Sequence, residues 1–144
     1  LKTLDITTNL ATLPLTQCNP SQINQVLLNL FNNAAQAIAP DQKGELHITS
    51  AVDETQSQVV VQVTDNGIGI NEQALERIFE PFFTTKKAGD GTGLGLAIST
   101  QIIEQHGGSI AASSIVGEGT TFTIMLPIQS KTYENKPSKA LFEG

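Results

Sequence analysis

Residues 59–70 read VVVQVTDNGIGI, and this stretch decides the fold. Val59, Val61 and Val63 follow the two-residue period of a half-buried β-strand. Asp65 ends that strand, and two glycines follow it, which allow a ligand or another backbone segment to come close. An acid at a strand end beside a glycine turn can accept a hydrogen bond from a ligand amine. The alternative is a capped turn with no ligand.

The composition fits one folded domain. The chain has 144 residues, 39% hydrophobic and 15% charged, with a net charge of −6 that argues against a nucleic-acid partner. Its single cysteine, Cys18, excludes an internal disulfide and argues against a cysteine zinc site. No signal peptide or membrane span is visible. We expect this domain to be cytoplasmic, and membrane anchorage of the full-length protein stays open. We expect a domain over residues 1–128 and a polar tail or linker over 129–144. The start without Met suggests a fragment of a longer protein.

A helix is predicted from Pro20 to about Ile38, with Asn19 as its N-cap and a capping box completed by Gln22. Its apolar residues fall on one face: Ile23, Val26, Leu27, Leu30, Phe31, Ala34 and Ile38. The opposite side carries an uncharged amide stripe: Gln25, Asn29, Asn33 and Gln36. Amide oxygens are suitable ligands for Mg²⁺, although such a stripe is also typical of a solvent-facing surface.

The other elements are predicted in a simple order. Strands are expected at residues 4–10, 45–52, 59–64, 109–113 and 120–126, with hairpin turns at 53–57 and 116–119. Asn71 is expected to cap a short helix that runs to Phe79, and a further helix should end at Gly107. The residues expected to face inward from these two helices are Ala74, Leu75, Ile78, Leu94, Ala97, Ile98, Ile102 and Ile103. The fold class is therefore α/β. We predict a two-layer sandwich, a mixed and mainly antiparallel sheet covered on one face by about three helices.

The segment after the short helix concentrates the basic residues. Residues 80–91 contain Pro81, an aromatic pair and two glycines, which predicts a mobile loop. Between Cys18 and residue 130 the cations are Lys43, Arg77, Lys86 and Lys87, and three of these four lie in this helix and loop. A charge run is usually only a solvated surface. In an acidic domain, cations confined to one flexible segment suggest an anionic ligand.

A second glycine turn, GTGLGL at residues 91–96, opens the next helix. A glycine turn at a helix N terminus offers free backbone N–H groups and a positive dipole end, which suits phosphate. The pattern is not a Walker A loop, because Gly-Lys-Ser/Thr is missing, and it is a poor Rossmann match, because no strand precedes it.

Four stretches, in order, resemble the sequence boxes of one family. Residues 29–34 (NLFNNA) resemble its N box, 65–69 (DNGIG) its G1 box, 79–83 (FEPFF) its F box and 91–96 (GTGLGL) its G2 box. The chain thus resembles the catalytic, ATP-binding domain of sensor histidine kinases, in the GHKL superfamily shared with Hsp90, type II topoisomerases and MutL. The resemblance covers roughly residues 4–127.

The resemblance implies roles for individual residues. Asp65 would accept from the adenine amino group, helped through an ordered water by Gly69 and Thr120. Asn33 would bind Mg²⁺ and Asn29 would lie near the phosphates. Arg77 would approach the γ-phosphate from an ATP lid over residues 71–91, and Lys86 would do the same. The catalytic set is Asn29, Asn33 and Arg77, and the remaining implied ATP contacts are Gly67, Ile70, Phe79, Thr92, Gly93, Leu94, Gly95 and Leu96.

Two residues depart from the commonest family pattern. Gln36 stands where many histidine kinases have a phosphate-contacting Lys, which resembles the nitrogen-regulation branch of the family and leaves one phosphate contact open. Asn29 stands where the ATP-hydrolysing relatives have Glu, so no general base for water is evident. Slow hydrolysis is therefore expected.

The phosphoacceptor is expected outside this chain. Its two histidines, His47 and His106, do not lie in a His-Glu-hydrophobic acceptor helix, and His106 is better explained as part of a helix end. The resemblance implies a histidine-bearing dimerisation domain, a response-regulator receiver domain as partner, a homodimeric full-length protein and a monomeric fragment. The alternatives are a stand-alone ATPase, a serine kinase that binds a sigma factor, and a degenerate protein-contact domain.

Overall fold

The computed structural model describes residues 3–10, 19–83 and 94–128. Eight elements follow one another in these ranges: β1 (Thr3–Leu10), α1 (Pro20–Ala37), β2 (Lys43–Asp53), β3 (Gln58–Asp65), α2 (Glu72–Leu75), α3 (Gly95–Gln105), β4 (Ser109–Ile115) and β5 (Gly119–Pro127). The predicted loop from residue 84 onward and the predicted tail over 129–144 lie outside the described residues. None of the helices in the described ranges is long and apolar enough to cross a membrane.

The five strands form one mixed sheet in the order β1-β2-β3-β5-β4. The edge strand β1 runs parallel to β2, and the other neighbouring pairs are antiparallel. Two of these pairs, β2–β3 and β4–β5, are the hairpins that the polar turns predicted. The strand β3 lies at the centre of the sheet, paired with β2 on one edge and with β5 on the other, and its valines suit a strand in this position.

The register gives the sheet two different faces. One row of facing residues joins Leu46, Asp65, Thr120 and Ser114, and the rows behind it are apolar, as in Ile48–Val63–Phe122–Ala112. The other face is polar: Thr64 and Thr121 are hydrogen-bonded at 3.0 Å and Gln62 donates to Thr123 at 3.2 Å. The helices therefore cover one face only, and Asp65 points to the helix side at the end of its strand.

The core lies between the sheet and the two longer helices. From α1 it takes Val26, Leu30 and Ala34, all less than 2% exposed, and from α3 it takes Ile102 and Ile103. The N-cap of α1 is Asn19, whose side chain accepts the N–H of Gln22 at 3.2 Å. The predicted α/β sandwich, its strand order along the chain and the inward face of α1 are confirmed.

Three predictions were wrong in detail. The capping box of α1 is only half formed: Asn19 accepts the Gln22 N–H, but the Asn19 N–H bonds His106 Nε2 and not the Gln22 side chain. The helix capped by Asn71 ends at Leu75 and does not reach Phe79, because the following backbone bonds, Arg77 N–H to Ala74 and Glu80 N–H to Arg77, are three-residue turns. Ile98 does not face inward: it is 36% exposed, and the fully buried position on that turn of α3 belongs to Ser99. The helix is rotated so that its core face runs through residues 99, 102 and 103.

Candidate functional site

The centre of the candidate site is the carboxylate of Asp65, which is 5% exposed at the end of β3. Its Oδ1 atom accepts two backbone N–H groups, from Gly67 at 2.8 Å and from Thr120 at 3.3 Å. Among the described residues, no hydrogen-bond or ion-pair partner is found for its Oδ2 atom. A buried carboxylate oxygen without a protein partner is unusual and is suited to accept a donor from a ligand.

Burial raises the pKa of the Asp65 carboxyl above its ordinary value, and the hydrogen bonds from Gly67 and Thr120 oppose that rise. None of the ion pairs between described residues includes Asp65. The folded chain therefore keeps an acid in a position that costs stability when the acid is charged. Such a group is a candidate for function, although structural networks also perturb pKa values.

The turn after Asp65 is wedged between two other segments. The Ile68 N–H bonds the carbonyl of Ala37 at 3.0 Å, and the Gly117 N–H bonds the carbonyl of Ile68 at 2.8 Å. A Cβ atom on the buried Gly67 would lie 2.6 Å from the Ala37 carbonyl oxygen. Gly69 has a φ of +79° and lies against the backbone of the β4–β5 hairpin. The glycines are thus needed for close approach of the turn to the end of α1 and to the hairpin.

Ser114 is a site residue that the sequence did not reveal. Its Oγ accepts the Ile70 N–H at 2.8 Å, donates to the Gly119 carbonyl at 2.9 Å and lies 2.8 Å from Thr120 Oγ1. Because the single Ser114 proton goes to Gly119, the hydrogen between the two hydroxyls comes from Thr120. The Thr120 hydroxyl therefore presents its lone pairs as acceptors. The register Ser114–Thr120–Asp65 creates this cluster, and one sequence does not show that register.

The amide stripe of α1 divides into a partly buried and an exposed half. Asn29 and Asn33 are partly buried, one turn apart, whereas Gln25 and Gln36 are exposed. Asn29 Nδ2 donates to the Gly95 carbonyl at 3.2 Å and to Ser99 Oγ at 3.1 Å. These bonds bring the stripe against the first turn of α3. Asn29 thus lies beside the backbone at the start of α3, where the glycine turn predicted phosphate, and Asn33 lies one turn further along α1.

The start of α3 differs from the starts of the other two helices. Asn19 caps α1 and Asn71 caps α2 through side-chain hydrogen bonds, whereas the N-cap of α3 is Leu94, which makes none. The first turn of α3 contains no acidic residue. The N–H groups of the first turn and the positive end of the helix dipole are therefore suited to an anionic group. Of the predicted phosphate contacts, Leu94, Gly95 and Leu96 lie here, and Thr92 and Gly93 lie outside the described residues.

The side chains of Arg77 and Phe79 contact other residues of the protein. Arg77 Nε is 3.2 Å from Glu80 Oε1, and its guanidinium lies 4.6 Å from the centre of the Phe83 ring. The Phe79 ring packs edge-on against Phe122 with centroids 6.4 Å apart. The structure thus shows Phe79 as a packing residue and Arg77 with an acidic and an aromatic partner. Lys86, the other predicted basic contact, lies outside the described residues.

A bound Mg²⁺ would rely on amide oxygens and on the nucleotide rather than on a cluster of acids or histidines in the described ranges. No group of three or more His, Cys, Asp or Glu side chains within residues 3–10, 19–83 and 94–128 could hold a metal ion. The donor set beside α3 is amide oxygen, which is a hard ligand suited to Mg²⁺ when phosphates and waters complete its coordination. The residues therefore fit a metal that arrives with a nucleotide.

Comparison with known proteins agrees with this geometry. The family described as histidine kinase-, DNA gyrase B-, and HSP90-like ATPase matches residues 18–130. The chain is 49% identical over 117 residues to sensor histidine kinase ZraS of Escherichia coli (strain K12), covering 81% of this chain and 24% of that protein. It is 42% identical over 125 residues to sporulation kinase E of Bacillus subtilis (strain 168), covering 86% and 16%.

Solved structures give the same result. The catalytic domain of the histidine kinase ThkA, in a nucleotide-free form, matches with a TM-score of 0.73 and 37% identity, covering 86% of this chain and 78% of that one. Full-length ShkA in complex with AMPPNP matches with a TM-score of 0.76 and 29% identity, covering 88% and 26%. The chain spans about a quarter or less of the curated relatives quoted above. It belongs to the histidine kinase-, DNA gyrase B- and HSP90-like ATPase family, as an ATP-binding domain of the sensor histidine kinase type.

Proposed function

We propose that this chain binds Mg-ATP and transfers the γ-phosphoryl group to a histidine on a dimerisation domain of the same protein. The observation that carries the proposal is the Asp65 carboxylate, whose Oδ1 is fixed by two backbone N–H groups while Oδ2 has no partner among the described residues. That arrangement offers an oriented carboxylate acceptor at a buried position, beside the Thr120 hydroxyl. The amino group of adenine is a donor of the required kind.

The proposed adenine site uses the row of residues at the end of the sheet. Oδ2 of Asp65 accepts from the adenine amino group, and Thr120, whose hydroxyl acts as an acceptor, orders a water beside it. Gly67 and Gly69 keep the turn free of side chains, and Ile70 follows that turn on the helix side, packed against the core. Ser114 holds Ile70, Gly119 and Thr120 together.

The proposed phosphate site lies at the start of α3. Backbone N–H groups from Thr92, Gly93, Leu94, Gly95 and Leu96 bind the phosphates, and Asn33 holds Mg²⁺ through its amide oxygen, with Asn29 beside it. The metal supplies charge neutralisation on the transferring group. Arg77 reaches the γ-phosphate by leaving Glu80, an exposed pair that is worth little in water. Lys86 adds a second cation.

The two histidines of the chain are poor phosphoacceptors. His106 uses both ring nitrogens: Nε2 accepts the Asn19 N–H at 3.0 Å and Nδ1 donates to the Ile102 carbonyl at 2.8 Å. His47 pairs with Thr64 in the register and thus lies on the polar face of the sheet, opposite the face of Asp65. An acceptor histidine therefore has to come from another domain.

The stand-alone ATPase remains a second candidate of the same fold, and Asn29 argues against it. An amide cannot act as the general base that activates water. The serine kinase and the degenerate contact domain are disfavoured by the similarity to sensor kinases and by the open Oδ2 of Asp65, respectively.

The wider assignments are part of the same proposal. Residues 1–128 form the catalytic domain and 129–144 a tail or linker. The full protein is a homodimer that signals to a response-regulator receiver domain, and this domain works in the cytoplasm as a monomeric unit. The similarity to the sensor histidine kinase ZraS supports the histidine-bearing domain and the response-regulator partner.

Phosphoryl transfer in trans tests the proposal. The chain is incubated with γ-labelled Mg-ATP, alone and with the histidine-bearing domain of its own full-length protein. We expect acid-labile label on the added domain and none on the chain. Acid-stable phosphoserine would favour the serine kinase. Steady phosphate release without transfer would favour the ATPase.

A further inference from the structure

Asn29 is held between α1 and α3 by two hydrogen bonds from one atom. Its Nδ2 lies 3.2 Å from the Gly95 carbonyl oxygen and 3.1 Å from Ser99 Oγ. Ser99 is 0% exposed, although its neighbours in the core are apolar. A buried hydroxyl at a helix–helix contact needs a partner, and Asn29 supplies it.

The chemistry of these partners fixes the orientation of the amide. A backbone carbonyl can only accept, so the Asn29 atom that faces Gly95 must be the nitrogen and not the oxygen. An amide nitrogen has two hydrogens, and the bonds to Gly95 and Ser99 use both. The amide oxygen is then the one polar atom that Asn29 can offer to a ligand at the start of α3.

We propose that Ser99 is a positioning residue. With the Gly95 carbonyl it holds the Asn29 amide so that its oxygen is available to the Mg-phosphate group, and we call these two hydrogen bonds of Asn29 the lock. Ser99 acts only through Asn29, since it is fully buried. The inference rests on the proposed function, because it assigns the phosphates to the start of α3.

The lock also selects the residue type at position 29. A carboxylate has no hydrogen to donate, so an ionised acid here would place a negative oxygen against the Gly95 carbonyl. The acceptor at Gly95 therefore favours an amide over the acid that hydrolysis requires. The slow hydrolysis expected from Asn29 is in this way supported by a residue on a different helix.

A double-mutant cycle tests the lock. Mg-ATP affinity is measured by calorimetry for wild type, Ser99→Ala, Asn29→Ala and the double variant. A neutral hydrogen bond corresponds to about 2- to 10-fold in affinity, so Ser99→Ala should weaken binding by that amount. In the Asn29→Ala background the same change should have less than about 1.5-fold effect. Equal weakening in both backgrounds, or none in either, would overturn the proposal.

A spectroscopic readout separates positioning from general stability. The Asn29 side-chain NH₂ signals are followed by NMR without nucleotide, and Ser99→Ala should shift them. Thr100→Val is the matched control, because within the described ranges the hydrogen bond of the Thr100 hydroxyl goes to the Leu96 carbonyl of its own helix, at 2.9 Å. It should leave both the signals and the affinity unchanged. If Ser99→Ala leaves the Asn29 signals unshifted, the positioning role of Ser99 is refuted. If Ser99→Ala shifts them but the wild-type chain binds no Mg-ATP, the proposed function is refuted instead.

Discussion

Replacing Asp65 by Asn changes one atom of the candidate site and little else. The two bonds from Gly67 and Thr120 both go to Oδ1, and an Asn side chain keeps that oxygen. The change falls on Oδ2, which becomes an NH₂ group. The variant therefore retains the protein's own contacts and loses the acceptor that faces the ligand.

The expected loss follows from the kind of bond that is removed. A hydrogen bond to a charged acceptor contributes about 1.5–3 kcal/mol, which corresponds to about 10- to 150-fold in the dissociation constant. Calorimetric titration of Mg-ATP into wild type and Asp65→Asn measures this directly. Asp41→Asn makes the same change of charge at an exposed position and should bind like wild type.

The same variant should not be destabilised in the absence of nucleotide. Burial raises the pKa of Asp65, so the folded chain binds this proton more tightly than the unfolded chain. Wild type therefore loses stability relative to Asp65→Asn as pH rises from below about 4 through the raised pKa, and the difference is constant above it. At neutral pH the variant should be at least as stable in urea unfolding. A variant that binds Mg-ATP normally would refute the assignment of Oδ2, and one that unfolds much more easily at neutral pH would refute the cost assigned to the buried charge.

Three further substitutions test the frame of the site. His106→Ala should lower the free energy of unfolding by about 1–3 kcal/mol, because it removes the hydrogen bond from Asn19 that joins the start of α1 to the end of α3, and a second bond to Ile102 within α3. His47→Ala, on the open face of the sheet, should be neutral in the same urea titration. Gly69→Ala should lower the free energy of unfolding by about 1–3 kcal/mol more than Gly117→Ala, measured by thermal unfolding. Both glycines have a positive φ, but of the two only Gly69 is packed against backbone. Equal losses would show that this close approach is unimportant. Asn29→Asp should have a lower free energy of unfolding than wild type at neutral pH. The difference should shrink at acid pH, because the protonated carboxyl can then donate to Gly95. A difference in urea unfolding that does not change with pH would contradict the lock.

Local patterns in the sequence predicted most of the fold. The valine run of β3, the capped amphipathic helix α1 and the two polar hairpin turns each depend on neighbouring residues only, and each is confirmed. The wrong end of α2 and the exposed Ile98 have a different origin. Helical spacing cannot tell where hydrogen bonding changes to three-residue turns, nor which of two adjacent apolar positions faces the core.

Within the candidate site, the acidic residue could be predicted from the sequence, but the residues that support it could not. Asp65 stood out because two glycines follow a strand. Ser114 and Ser99 are small polar residues with no local pattern around them. Their importance comes from contacts across 44 and 70 positions of the chain, through the β4–β5 register and the α1–α3 contact. Such long-range pairs are fixed by packing, and one sequence does not contain that information.

The most direct test of the central claim is a crystal structure of this chain with Mg²⁺ and a non-hydrolysable ATP analogue. We expect the adenine amino nitrogen within hydrogen-bond distance of Asp65 Oδ2, and the phosphates at the N terminus of α3 with the Asn29 amide oxygen towards them. Adenine bound away from Asp65, or phosphates away from α3, would contradict it.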